Sequence, residues 1–214
     1  KIFWFWLPAL RVSRITTISN HSKEKIQKLI PFAKDKIIVI PNPINPAFNY
    51  TPKKFNKKNP RILHIGTKSN KNLERTIMAL DNLPCTLVII GRLSGNQKEL
   101  LSKYHILYEN YFGISFKEMI KQYQKSDLVC FASLYEGFGL PVIEANAIGR
   151  PVVAGNITAI PDTAGDAACL VNPYSIEEIK QGVYRIIQND EYRNQLIQNG
   201  QKNVKRFHPE KIAQ

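Results

Sequence analysis

The stretch FASLYEGFGLPVIEANAIGRPVV, residues 131–153, decides how this chain is read. Together with the apolar residues just before it (DLVC, 127–130), it holds a buried strand, a loop, a helix and the start of another strand. The loop carries Glu136, Gly137 and Gly139, whose glycines permit close backbone approach to a ligand. Leu140-Pro141 then opens a helix, with proline at a favourable first-turn position. The exposed amides of Gly137, Phe138, Gly139 and Leu140 form a cradle for anions and hydroxyls. Glu144, eight residues after Glu136, is expected in the first turn of that helix, pointing back to the same mouth. A plainer reading gives Glu144 to the helix dipole and leaves Glu136 as a surface loop acid.

Outward from this stretch, short apolar runs alternate with helical patterns. RILHIG (from Arg61), CTLVIIG (from Cys85), ILYE (106–109), DLVCFA, PVVAG (from Pro151) and ACLV (from Ala168) read as strands. Helices are expected at Leu73/Ile77/Leu80 and around Gln97–Tyr104 and Phe116–Tyr123. Further helices are expected from about Leu140, and over Ser175–Gln188 and Glu191–Val204. Continuous apolar strands separated by helices predict a parallel sheet covered on both faces, a doubly wound α/β domain over residues 61–214. Ahead of it, RITTIS, a helix at Ser22–Leu29 and KIIVIP read as strand, helix and strand within residues 1–46. Between the two, PNPINPAFNYTPKKFNKKNP (41–60) holds five prolines and four lysines. That composition cannot continue a helix or a central strand, and we take 47–60 as a linker.

In open parallel sheets, ligands bind beyond the carboxyl ends of the strands, so the loops there carry the remaining candidates. In HIGTKSNKNLERTIMAL, Gly66 ends a strand and Ser69 or Asn70 is placed to cap the next helix. Lys71 then stands at a helix N-terminus, where a cation is unfavourable unless an anion such as a diphosphate is also present. Lys68 and Arg92 are candidates for a second phosphate contact, or are solvent-facing cations. Asn156 and Asp162 lie in the loop after PVVAG, and Asp162 is equally a turn residue. Tyr111 and Phe112 are read as core aromatics, with stacking on a base as the alternative.

EGFGLPVIE resembles the E-x7-E motif of the retaining GT-B glycosyltransferases of group 1, and the preceding apolar strand and following A-x-G-x-PVV resemble that family too. The likeness spans essentially the whole chain. It implies a nucleotide diphosphate sugar as donor, hexosyl transfer with retention to a glycan or lipid-linked acceptor, and a metal-independent site without cofactor. By the same resemblance Glu136 and the amides of Gly137–Leu140 contact donor sugar and phosphates, and Glu144 binds the ribose hydroxyls. Lys71, with Gly66 and Thr67 beside it, meets the diphosphate; Thr67-Lys68 stands where the family often has an arginine. Glu136 and Lys71 are thus the expected catalytic residues, with the charge on the departing diphosphate stabilised by Lys71 and the Gly137–Leu140 amides. Residues 61–214 would be the donor domain and 1–46 a remnant of the acceptor domain. The alternative is a non-catalytic nucleotide-binding module or isolated half-enzyme.

The net charge of +13 is concentrated in residues 1–60, which hold twelve Lys/Arg against Glu24 and Asp35. Such a segment reads either as a solvated basic face or as one that meets an anionic membrane surface. No nucleic-acid-binding motif accompanies it, so nucleic acid is not an expected partner. Cys85, Cys130 and Cys169 sit in apolar runs and read as buried thiols of a reducing compartment. We therefore expect a cytoplasmic protein, peripheral at the inner membrane face, and a natural N-terminus upstream of Lys1. Trp4 and Trp6 lie in an orphaned aromatic segment expected either to fold back over the donor domain or to make a homodimer contact.

Overall fold

The computed structural model describes residues 2–213. A turn of π-helix (Ile2–Trp6) leads into α1 (Leu7–Arg11), then β1 (Ile15–Thr17), α2 (Asn20–Leu29) and β2 (Ile37–Val39). The main domain follows as β3 (Arg61–Ile65), α3 (Leu73–Ala79), β4 (Thr86–Ile90), α4 (Gly95–Lys103), β5 (Tyr108–Tyr111) and α5 (Phe116–Lys125). It continues through β6 (Leu128–Phe131), α6 (Leu140–Ile148), β7 (Val152–Gly155), α7 (Ile160–Ala164) and β8 (Cys169–Val171). Helices α8 (Ile176–Gln188), α9 (Asp190–Val204) and α10 (Pro209–Ile212) close it.

Six strands pair in the order β5-β4-β3-β6-β7-β8, all parallel. The apolar strand runs explain this: alternate residues of one strand feed two different cores. Leu63 and Val129 join the layer with Phe131, Ile143 and Phe207. Ile62, Leu128 and Cys130 join the layer with Leu73, Ile77 and Val183 on the other face. Each fully buried Leu or Ile contributes roughly 1.5–3 kcal/mol. All three cysteines are buried and free.

Three details differ from the sequence expectation. The fifth strand is Tyr108–Tyr111, two residues later than ILYE, because Tyr108 pairs with Leu87 and Tyr111 with Ile90 across the ladder to β4. The run 41–60 has no helix or strand, yet it is tightly seated. Ile44 and Phe48 lie in the core, Ile44 donates to the Phe207 carbonyl (2.8 Å) and Thr51 to that of Ile148 (3.1 Å). Asp127 anchors its far end, accepting from the Asn56 and Arg61 amides and pairing with Lys53.

The third detail concerns the aromatic segment, expected either over the main domain or in a homodimer contact: among the described residues Trp6 and Ala9 take a different place. The segment docks on the small unit formed by α2 and the parallel pair β1-β2. The Trp6 indole donates to the Leu29 carbonyl at 2.9 Å and packs edge-on against Phe32. Ala9 is buried with Ile30, Ala33 and Ile37. The carbonyls at the C-terminus of α2 lack helical partners, so the indole satisfies one of them. Phe3 and Trp4 remain exposed.

His64 in β3 is fully buried. Burial first, and then the positive charge of Lys71, pull its imidazole down to about 4. The native state therefore binds fewer protons than the unfolded chain between the ordinary value near 6.5 and about 4. Stability should fall as pH drops through that window, by up to roughly 1.4 kcal/mol per unit. Melting temperatures taken from pH 7 to 5 should decline more steeply for the natural chain than for His64→Leu. Equal slopes would remove His64 as a source of acid sensitivity.

Candidate functional site

The strand order reverses between β3 and β6, so the loops that leave their carboxyl ends diverge to opposite faces and open a crevice. Side chains tie the two loops together. The Asn70 amide donates to the Tyr135 carbonyl (3.2 Å), and the Leu134 amide donates to the Asn70 carbonyl (2.8 Å). Asn72, buried and left-handed (φ 62°), donates to the carbonyls of Ala132 (2.9 Å) and Pro173 (2.7 Å).

At this crevice Lys71 Nζ lies 2.7 Å from Glu136 Oε1, with both side chains largely buried. Ser69–Lys71 form a single 3-10 turn and α3 begins only at Leu73. The expected capping by Ser69 or Asn70 does not occur, because Asn70 is engaged with the facing loop and Asn72 takes the cap position through its backbone. The cation thus sits just ahead of the N-cap Asn72, and a carboxylate already balances it. Gly66 (φ +89°) makes this possible. A Cβ there would stand 2.7 Å from Lys71 Cγ, so the lysine stem reaches Glu136 only across a glycine.

Helix α6 opens at Gly139, which is left-handed (φ 102°) and supplies no side-chain cap. Among the described residues the backbone N–H groups of Gly137, Phe138, Gly139 and Leu140 donate to no protein group, leaving the positive end of α6 available. Phe138 contributes only backbone: its ring is buried, edge-on to Phe207 at 5.5 Å. The Glu136 amide donates to Thr158 Oγ1 (3.2 Å). Thr158 holds φ 58°, a strained conformation for a β-branched residue, and so braces the loop from the β7 side.

Glu144 is the fifth residue of α6, in the second turn rather than the first. Helical side chains lean toward the N-terminus, and Glu144 is near enough to Lys71 to feel its charge. Burial raises its pKa above the ordinary carboxylate value, while the Tyr123 hydroxyl and the charge of Lys71 pull the other way. The Tyr123 hydroxyl donates to Glu144 Oε2 at 2.5 Å. Tyr123 was missed in the sequence because it falls on the apolar face of α5. The only signal was the polar tip of a buried phenol, which needs a partner.

The other expected residues divide. Thr67 turns toward the next loop, its hydroxyl donating to the Arg92 carbonyl (2.7 Å). Lys68 is exposed, and the Arg92 guanidinium stacks 5.3 Å above Phe112, which is an exposed aromatic and not a core one. Tyr111 packs partly against the core and donates to Glu109. Asn156 is exposed, and Asp162 accepts from Asn20 of α2 (3.4 Å). Helix α2 closes one side of the mouth: Ser22 reaches the Gly137 carbonyl at 3.5 Å, and Lys25 lies 4.3 Å over the Tyr135 ring.

Residues 49–203 match the family of Glycosyl transferases group 1. The chain is 25% identical over 218 residues to the O-antigen chain mannosyltransferase B of Escherichia coli, covering 90% of this chain and 56% of that protein. It is also 25% identical over 207 residues to the MMP alpha-(1->4)-mannosyltransferase of Mycolicibacterium hassiacum, covering 91% and 50%. The chain therefore spans about half the length of the curated relatives it matches. Among solved structures, sucrose-phosphate synthase from Thermosynechococcus elongatus shares the fold at a TM-score of 0.83 and 19% identity, over all of this chain and 59% of that one. A glycosyltransferase from Rickettsia africae does so at 0.81 and 22%, over 99% and 62%.

The glycine geometry yields a paired expectation. Gly66→Ala must displace the Lys71 stem and strain a positive φ, and should cost about 1–3 kcal/mol in urea unfolding. Gly95→Ala, in a helix with nothing within 4 Å, should be neutral or stabilise by up to about 1 kcal/mol. Equal effects would show that the lysine stem does not need the glycine.

Proposed function

The chain belongs to the family of group 1 glycosyl transferases, and we propose that it supplies the donor side of a retaining enzyme. That enzyme moves a hexosyl group from a nucleotide diphosphate sugar to a glycan or lipid-linked acceptor. The observation that carries this is the meeting of Lys71, Glu136, Glu144 and the uncapped start of α6 at the point where the strand order reverses. A cation, a helix N-terminus and two carboxylates in one crevice suit a ligand with an anionic centre flanked by hydroxyls on both sides. The names of the mannosyltransferase relatives support a hexosyl donor.

In this reading the diphosphate takes Lys71 away from Glu136 and lies against the amides of Gly137–Leu140. Glu136 is then released to accept from hydroxyls of the sugar, and Glu144 accepts from those of the ribose. As the glycosidic bond to the diphosphate breaks, negative charge grows on the departing oxygen. Lys71 and the aligned amides stabilise that charge with little reorganisation, because the β3 and β6 loops hold them in place. The positive charge comes from the chain itself, so binding requires no metal ion.

A second reading is a nucleotide-binding module without turnover. Positioning the second reactant is worth roughly 7–11 kcal/mol of barrier, and a module of that kind would lack it. Turnover of a nucleotide sugar by this chain, measured beside binding of the same donor, separates the two readings.

Two outcomes test the proposal. UDP, GDP or ADP should raise the melting temperature equally with magnesium and with EDTA, a saturating ligand at 100-fold over its Kd adding about 2.7 kcal/mol. A shift that requires magnesium would refute the metal-independent cradle. Glu144→Ala should weaken the free nucleotide by about 1.5–3 kcal/mol, whereas Glu136→Ala should spare it and weaken only the nucleotide sugar. Equal losses for both ligands in both variants would reject this division.

A further inference from the structure

Nothing in the proposed roles of Lys71, Glu136 and Glu144 explains how a half-buried carboxylate on α6 is held in one orientation. The answer lies on α5. Tyr123 is fully buried, its ring is fixed edge-on by Phe48 at 5.5 Å, and its hydroxyl reaches Glu144 Oε2 at 2.5 Å. We propose that Tyr123 is a positioning residue of the nucleotide site: its phenol holds one carboxylate oxygen of Glu144 and so presents the other to the ribose hydroxyls. This rests on the reading of Glu144 given above.

The spacing between the two helices is itself set by a buried guanidinium. Arg150, just beyond the C-terminus of α6, donates through Nε to the Tyr123 carbonyl (3.2 Å) and through Nη2 to that of Gln124 (2.8 Å). Its Nη1 serves the carbonyls of Ile148 (3.3 Å), Gly149 (3.2 Å) and Thr51 (2.9 Å). One side chain thus clamps the end of α5 that bears Tyr123 to the C-terminal end of α6, one turn beyond Glu144. A phenol needing only an acceptor could use any carbonyl; here it spends its one proton on the acid facing the crevice. Lys71, from the β3 loop, and Tyr123 are the charged or titratable groups that act on Glu144. Both lower its pKa against the rise that burial causes.

Titration calorimetry with UDP, GDP and ADP and their 2′-deoxy counterparts tests this on the natural chain, Tyr123→Phe and Glu144→Gln. Tyr123→Phe should weaken the ribonucleotide by about three- to tenfold, the range of a single hydrogen bond, and weaken the deoxy form distinctly less. Its acid limb of binding should also move to higher pH, because the carboxylate has lost a donor that favoured its charged form. A merely structural role would weaken both ligands alike and leave the pH profile in place. If Glu144→Gln keeps the full preference for ribose, or none of the nucleotides binds, the underlying site reading fails and this one with it. If Glu144→Gln abolishes the preference while Tyr123→Phe retains both it and the pH profile, the positioning role alone is overturned. Circular dichroism checks each fold, and Tyr123→Met carries the same comparison if the phenylalanine variant does not fold.

Discussion

The parallel pairing of β3 with β6 is the constraint on which the rest depends. These strands are distant in sequence, yet Ile62 lies beside Leu128 and Leu63 beside Val129. The pairing brings together two loops that share no local signal and directs their helices to opposite faces. Lys71 meets Glu136, and Asn72 reaches Ala132, only because those two strands are neighbours.

Within the crevice the electrostatics are arranged by exclusion of water rather than by charge count. Lys71 and Glu136 are both largely buried, so their attraction is less screened than that of a surface pair. The same environment raises the cost of leaving either alone, which makes a substitute anion for Lys71 a natural occupant. Glu144 sits close enough to feel Lys71, and burial keeps it more basic than an exposed acid. His64, beneath the same lysine, is held neutral by burial and by that charge. The charge of one lysine thus favours the deprotonated form of both neighbours, against burial at Glu144 and together with it at His64.

The small N-terminal unit is joined to this site by more than the chain. Helix α2 touches the β6 loop through Ser22 and Lys25, and residues 41–60 run along the domain through Ile44, Phe48 and Thr51. Arg150 holds the Thr51 carbonyl with the same guanidinium that holds Tyr123. A shift of that segment would therefore be felt at the end of α5. Among the described residues no helix is long and apolar enough to cross a membrane.

The amino-acid sequence determined the layer structure, because uninterrupted apolar strands can only be covered on both faces and helical patterns lay between them. It determined the loop with Glu136, since paired glycines before a Leu-Pro helix start are a local feature of few alternatives. It singled out Lys71 as a cation at a helix start, whereas the structure puts Lys71 ahead of α3 and pairs it with Glu136. It did not determine the start of β5, because register belongs to the ladder with β4 and not to the apolar run itself. It misplaced the cap of α3, because Asn70 and Asn72 spend their side chains on a loop that is near only in three dimensions. Tyr123 lay in an expected helix and Phe138 among the expected cradle amides, with nothing local to say where either side chain goes. Packing alone sent the Phe138 ring into the core and the Tyr123 hydroxyl to Glu144. The reason is common to all of these: a hydrogen bond between distant segments leaves no periodicity in either one, and only the folded sheet decides which groups meet.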